Sequence, residues 1–344
     1  MIIVGMEVEG LNLSELREVR VGRFQVKMLL LLIPVALFIS ATLLTHGALS
    51  LVPMFLLGLM YAHAVELQHQ CLHNTAYRSK RWNRFVGVQL GMPLLVSFSD
   101  YQSSHMNHHR LLGTPEDKEF FNYGYGSLTS LRNFIPHLFM VRHYLDVARF
   151  IMQSVTGSLT REGASPKTVR KIRTEYLLMG AFLISMLALS VGFQTFIFVK
   201  LWLIPLLVGV PAHALIELPE HFGCNGQTTD VLKNTRTIKC SKFANWYTDG
   251  NNYHVEHHWM PAVPNDKFVE LHRFVEPQIL HLESSYWSFY GQFLSHLIRG
   301  DRRVPWETKR QPEPAPSKVF KAAAGSAKPV ESSTTGGNVR DSQK

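Results

Sequence analysis

Cysteine is scarce: Cys71, Cys224 and Cys240 are the only three in 344 residues. An odd, scattered set excludes the disulfide framework of a small secreted module. There is also no cationic start leading into a short apolar core and a small-residue cleavage site. The sequence therefore reads as one with free thiols facing a reducing compartment. Acidic residues are short as well, 26 against 35 Lys and Arg, for a net charge of +9. Such an excess suits nucleic acid, anionic lipid or membrane topology, and the placement of the charges decides among them.

Charge is missing from residues 28–45, 49–65 and 176–193, and only Lys200 interrupts 195–216. Each run is long enough to cross a bilayer as a helix, although the mean hydropathy of the whole chain is zero. Arg17, Arg20, Arg23 and Lys27 precede the first run, and Arg78, Lys80, Arg81 and Arg84 follow the second. Arg161, Lys167, Arg170, Lys171 and Arg173 precede the third, whereas the two short links inside the pairs hold no Lys or Arg. By the positive-inside rule both termini, the long central segment and everything after residue 217 are cytoplasmic, so the basic excess is mostly topological and implies no nucleic acid. Lys200 sits near the outer end of its span, where its ammonium can snorkel to the interface. Buried helices of a large soluble core are the alternative, and the charge asymmetry argues against them.

The expected architecture is all-α and integral to the membrane, with four transmembrane helices in two hairpins and a cytoplasmic, histidine-rich helical cap. Residues 1–27 form an N-terminal cytoplasmic segment and 28–306 a single domain. Residues 307–344, rich in Pro, Ser, Gly and Lys, form a disordered tail. Pro205 and Pro211 predict a kink in span four. Residues 85–98 are too short to cross and read as an interfacial or re-entrant element. Residues 131–153 interleave Arg132, Arg142, Asp146 and Arg149 with apolar positions at helical spacing. They predict one amphipathic helix, lying on the cytoplasmic leaflet or packed on the cap.

Eight of the 17 histidines fall in three short boxes: HQCLH (His69, His73), HMNHH (His105, His108, His109) and HVEHH (His254, His257, His258). Residues three and four apart share a helix face, so each box can aim its imidazoles at one point. An even number of spans between boxes puts all three on one side of the membrane. Eight imidazoles exceed the needs of one four-coordinate zinc and imply a pair of metals. Neutral imidazole suits iron, zinc, copper and nickel. The membrane setting favours iron, because an unactivated C–H bond has no leaving group and no acidic proton, and iron with dioxygen supplies an oxidant able to attack it.

With the stretches HQCLHNTAYRSKRWNRFVG, HMNHHRLLGTPEDKEF, ELPEHFG, NTRT and NYHVEHHWMPAVP around the boxes, residues 49–274 resemble the membrane-bound fatty acid desaturase family. The resemblance adds His221 as a ninth metal-binding histidine. It implies two iron ions, dioxygen as co-substrate, and insertion of a double bond into a fatty acyl chain carried as a lipid, a thioester or a carrier-bound group. No HPGG haem-binding stretch is present. The family therefore implies an external electron donor, cytochrome b5 or ferredoxin, with an NAD(P)H-dependent reductase. A hydroxylase, ketolase or acetylenase acting on a lipid or specialised metabolite starts from the same hydrogen abstraction. A metal-binding transporter or sensor is the alternative from another class.

Gln70 departs from the acidic residue that family members often carry at that position, and its amide oxygen can still support a ligand. Glu66 and Glu256 are placed to accept an N–H from a ligating imidazole. Glu220, Asp117, Asp230 and Asn234 lie in the matching stretches as further supports, with Asp117 and Asp230 equally readable as helix caps. Arg236 is expected to pair with a carboxylate or a lipid headgroup. Cys71 reads as small packing filler.

Overall fold

The computed structural model describes residues 12–117, 128 and 130–299. The tail expected over 307–344 and the first eleven residues of the N-terminal segment lie outside the described residues.

Among the described residues helices dominate, and four helical stretches are long and apolar enough to cross a membrane: Leu13–Leu44, Gly47–Leu72, Pro166–Gly192 and Val199–His221. Each extends past the apolar run that signals it. The second continues as helix from Val65 through Leu72, although Glu66, Gln68, His69 and Gln70 follow, because these polar side chains are buried and partnered. Desolvated polar groups cost little when hydrogen-bonded, so the helix carries the first box inside the molecule rather than past its own end.

The second long helix is the hub, packing against the first and, most extensively, against the Ile204–His221 helix. Two glycines allow this. A Cβ on Gly58 would lie 2.5 Å from the Pro205 carbonyl oxygen, and one on Gly209 would lie 2.7 Å from that of Gly58. Small residues let membrane helices bring their backbones together, where packing replaces the missing hydrophobic drive. The fourth span begins with a π-helical stretch, Val199–Leu203, and Pro205 follows in the first turn of the α-helix. A proline without an N–H is accommodated where the i→i−4 ladder is already interrupted.

Residues 80–91 form a helix that buries Asn83, Gly87, Val88 and Leu90 and leaves Trp82 and Phe85 exposed. The single amphipathic helix expected over 131–153 is two, Leu131–Leu138 and Val141–Thr156. Met140 takes a left-handed conformation (φ +46°) between them. Hydrophobic spacing continues across the break because both pieces present an apolar face, so periodicity alone does not reveal it. The fold is also not purely helical. Arg236–Ile238 pairs in parallel with His281–Glu283, a strand pair too short to leave a period-two signal in the sequence.

The box helix Phe98–Leu111 is fixed at its start by the third long helix. Glu175, fully buried, accepts hydrogen bonds from Ser97 Oγ (2.8 Å), the Ser99 amide (2.8 Å) and Ser99 Oγ (2.6 Å), and an ion pair from Arg84 (2.7 Å). A carboxylate at a helix N-terminus satisfies amides that have no partner within the helix and meets the positive end of the helix dipole.

Candidate metal centre

Four helix segments bring the boxes together. His69 lies in the last turn of Leu51–Leu72 and His73 caps it. His105, His108 and His109 share one side of Phe98–Leu111, and His221 ends Ile204–His221. His254, His257 and His258 occupy the short helix His254–Trp259. All nine expected histidines converge. Their Nε2 atoms approach at 2.8 Å (His69 to His105), 2.9 Å (His109 to His257), 3.1 Å (His109 to His105 and His258 to His254) and 3.2 Å (His221 to both His108 and His254). Three sets meet the spacing of a metal site: His69, His73, His105 and His257; His108, His221 and His258; and His109, His257 and His258.

The outward nitrogens explain why the inward ones face each other. Nδ1 of His69 donates to Asn251 Oδ1 (2.9 Å), Nδ1 of His108 to Asp117 Oδ2 (2.9 Å) and Nδ1 of His221 to the Asn234 carbonyl (3.0 Å). The backbone carbonyl of Pro261 does the same for His73, whose buried Nε2 has no partner among the described residues. A neutral ring with its proton fixed on Nδ1 presents a lone pair at Nε2. Burial, and after it the neighbouring imidazoles, hold His73, His109, His254, His257 and His258 well below the usual histidine range, so these rings are neutral at pH 7. Neutral rings turned lone pair to lone pair in a dry interior repel, and a cation between them removes the repulsion. The donor set therefore fits metal ions.

The carboxylates divide. Asp117 accepts directly from His108 Nδ1. Glu220 Oε1 lies 3.3 Å from Nδ1 of His254. Glu66 acts at one remove: Oε2 accepts from the Asn251 amide (2.7 Å), whose oxygen holds His69, and Oε1 accepts from Nδ1 of His213 (2.9 Å).

Glu256, Gln70 and the headgroup reading of Arg236 need correction, whereas Asp230 takes its helix-cap reading and Asn234 supports a ligand through its backbone. Glu256 holds no box histidine: with its own helix turning the rings inward, its carboxylate faces outward to Thr237 Oγ1 (2.6 Å) and to His272. Gln70 accepts from Lys27 (2.9 Å) and donates to the Thr75 carbonyl (3.2 Å), so it closes the turn after the first box instead of supporting a ligand. Asp230 caps the turn Val231–Asn234 through the Leu232 amide and pairs with Lys233. Asn234 contributes its backbone carbonyl, while its side chain bonds to Thr228 and Thr235. Arg236 is 1% exposed, donates to the Pro219 carbonyl and stacks over Phe289, which excludes a headgroup role.

Asn251, His213 and His272 were not singled out by spacing. Asn251, three residues before His254, is the one with a local signal, a buried amide beside a histidine box. Because Glu256 is fully buried and bonded on both oxygens, Glu256→Ala is expected to destabilise the fold by about 1–3 kcal/mol, measured by denaturant or thermal unfolding.

Comparison with known proteins shows the family. A family model described as fatty acid desaturase matches residues 46–290. The chain is 26% identical over 219 residues to the rat protein named sphingolipid delta(4)-desaturase/C4-monooxygenase. It is 25% identical over 226 residues to a sphingolipid delta(4)-desaturase of Xenopus tropicalis, and 25% over 239 residues to a fatty acid desaturase of Bacillus subtilis. Each match covers 61% of this chain and, in the same order, 60%, 61% and 63% of the relative.

Proposed function

Because the chain belongs to the fatty acid desaturase family, we propose that it is a membrane oxidoreductase carrying out oxygen-dependent desaturation of a lipid acyl chain at a histidine-bound di-iron centre. The convergence of nine imidazoles, four of them with an outward nitrogen tied to a fixed acceptor, supports this reading most strongly. The nine histidines would hold the two irons, drawing on the sets His69, His73, His105 and His257, His108, His221 and His258, and His109, His257 and His258, with His254 beside His221 and His258. Bound iron with dioxygen supplies the oxidant for an unactivated C–H bond. In the overall balance two hydrogens leave adjacent carbons, an external donor gives two electrons, two protons are taken up, and dioxygen becomes two waters.

The protein's own part is to fix geometry. Asn251, Asp117 and the Asn234 and Pro261 carbonyls orient the rings and hold their protons on Nδ1. Burial of the rings excludes bulk water, which protects a reactive centre from side reactions. Hydroxylation is the second reading, favoured by the rat relative whose name carries both activities. A transporter needs ligands at mid-span. Here the two histidines deepest in spans face protein groups, His63 the Tyr247 carbonyl and His213 the Glu66 carboxylate.

On this reading the four spans form two hairpins and the centre lies in a cytoplasmic cap with both termini on the same side. Cytochrome b5 or ferredoxin delivers the electrons. Metal analysis of purified protein is expected to give about two irons per chain, the pair implied by so many imidazoles; stoichiometric zinc without iron would overturn the assignment. Expression in a host of defined lipid content, followed by mass spectrometry of acyl chains, separates a new double bond from a new hydroxyl.

A further inference from the structure

A cavity of about 710 Å³ lies between the box helix Phe98–Leu111, the Val141–Thr156 helix and the Ile204–His221 helix. This is the size of a small-molecule site, for which about 300–1,000 Å³ is typical. His108 and Asp117 of the candidate metal centre form part of its wall, so a molecule held here reaches that centre. Val96, Leu111, Met140, Val147 and Phe150 supply an apolar side.

The polar side is unusual for a site that takes only hydrocarbon. His143 lines it and donates to the Leu94 carbonyl, which leaves its buried Nε2 as an acceptor with no partner among the described residues. Burial holds this ring below the usual histidine range even with Glu217 and Asp100 nearby, so it is neutral. A buried acceptor without a partner costs free energy that a ligand O–H or N–H recovers.

The charges say what kind of ligand. Among the described residues four arginines line the cavity: Arg110, Arg142, Arg149 and Arg161. Six carboxylates stand against them: Asp100, Glu116, Asp117, Asp146, Glu162 and Glu217. Arg161 is paired with Asp100 and lies over the Phe150 ring (4.0 Å), and Arg149 is paired with Asp146 (2.9 Å). Among these described residues even a protonated His213 would leave no positive excess. A phosphate-bearing thioester or carrier head, or a free carboxylate, would find no net positive lining among these residues to favour it.

We propose that this cavity binds the polar segment of an uncharged amphiphile bearing hydroxyl or amide groups, with His143 Nε2 accepting a hydrogen bond from one of them. This rests on the desaturase reading for the identity of the reacting end, beside His108. It narrows the substrate from lipid, thioester or carrier-bound acyl group to a neutral, hydrogen-bonding lipid.

The test is equilibrium binding to the full chain in nanodiscs. The probes are N-octanoyl sphinganine, a neutral amide with two hydroxyls, its N-methyl, di-O-methyl form without donors, and lauroyl-CoA. The neutral amide is expected to bind at least tenfold more tightly than its methylated form. His143→Phe should abolish that difference, and His143→Gln, which keeps an acceptor, should restore most of it. Equal binding of the two neutral probes by the unaltered protein overturns the proposal without recourse to any variant. So does His143-dependent binding of lauroyl-CoA, or no binding of the amide. Binding is read apart from turnover: the expected pattern without oxidised product from iron-loaded protein sinks the desaturase reading alone, whereas product from lauroyl-CoA without amide binding sinks the cavity assignment alone.

Discussion

His257→Ala is expected to abolish turnover and to lower bound metal, with membrane insertion and helix content unchanged. His257 belongs to two of the three sets of converging histidines, and its Nε2 lies 2.9 Å from that of His109. Loss of a group that merely supports a ligand typically costs about 10–100-fold in metal affinity or activity, so loss of a ligand shared between sets should exceed 100-fold. Metal analysis and product formation, measured on the same membrane preparation, check it. Full activity in this variant would remove the third box from the site.

Glu175→Ala should produce the largest loss of stability. Its carboxylate is fully buried and receives Arg84, the Ser99 amide and the hydroxyls of Ser97 and Ser99. Its removal leaves the buried Ser99 amide and the Ser97 and Ser99 hydroxyls without an acceptor, at about 1–3 kcal/mol for each group left unsatisfied, while the partly exposed Arg84 can turn to water. These contacts fix the start of the helix that carries His105, His108 and His109. Thermal unfolding in detergent should therefore shift strongly downward, and the metal content of the surviving folded protein should fall with it. An unfolding temperature within a degree or two of the parent would show that the Glu175 contacts contribute little. The carboxylate comes from a different long helix, so its effect on the centre runs through tertiary packing and not through ligation.

Much of the candidate centre was legible in the boxes. Imidazoles at i, i+3 and i+4 share a helix face wherever the helix goes, so His105, His108 and His109 were bound to point together. The four long helices were equally legible, since an uncharged run of bilayer length has few alternatives. Their ends were not. Glu66, Gln68 and Gln70 look like the end of a span until their buried partners, many residues distant in sequence, are known.

The supports of the ligands depended on direction more than on distance along the chain. Glu256 lies among three histidines in sequence, yet a helix that turns those rings inward turns Glu256 outward to Thr237 and His272. Asn251 and Asp117 took the roles that spacing assigned more widely, the first by linking His69 to Glu66. The chain by itself determined four long apolar helices, three histidine boxes and a ninth histidine by resemblance. Tertiary structure decided which nitrogen of each ring faces inward, which carboxylates reach a ring, and where a polar-walled cavity opens beside His108. Periodicity records which face a residue shares, whereas hydrogen-bond partners and cavities arise between segments far apart in sequence, where no local pattern records them.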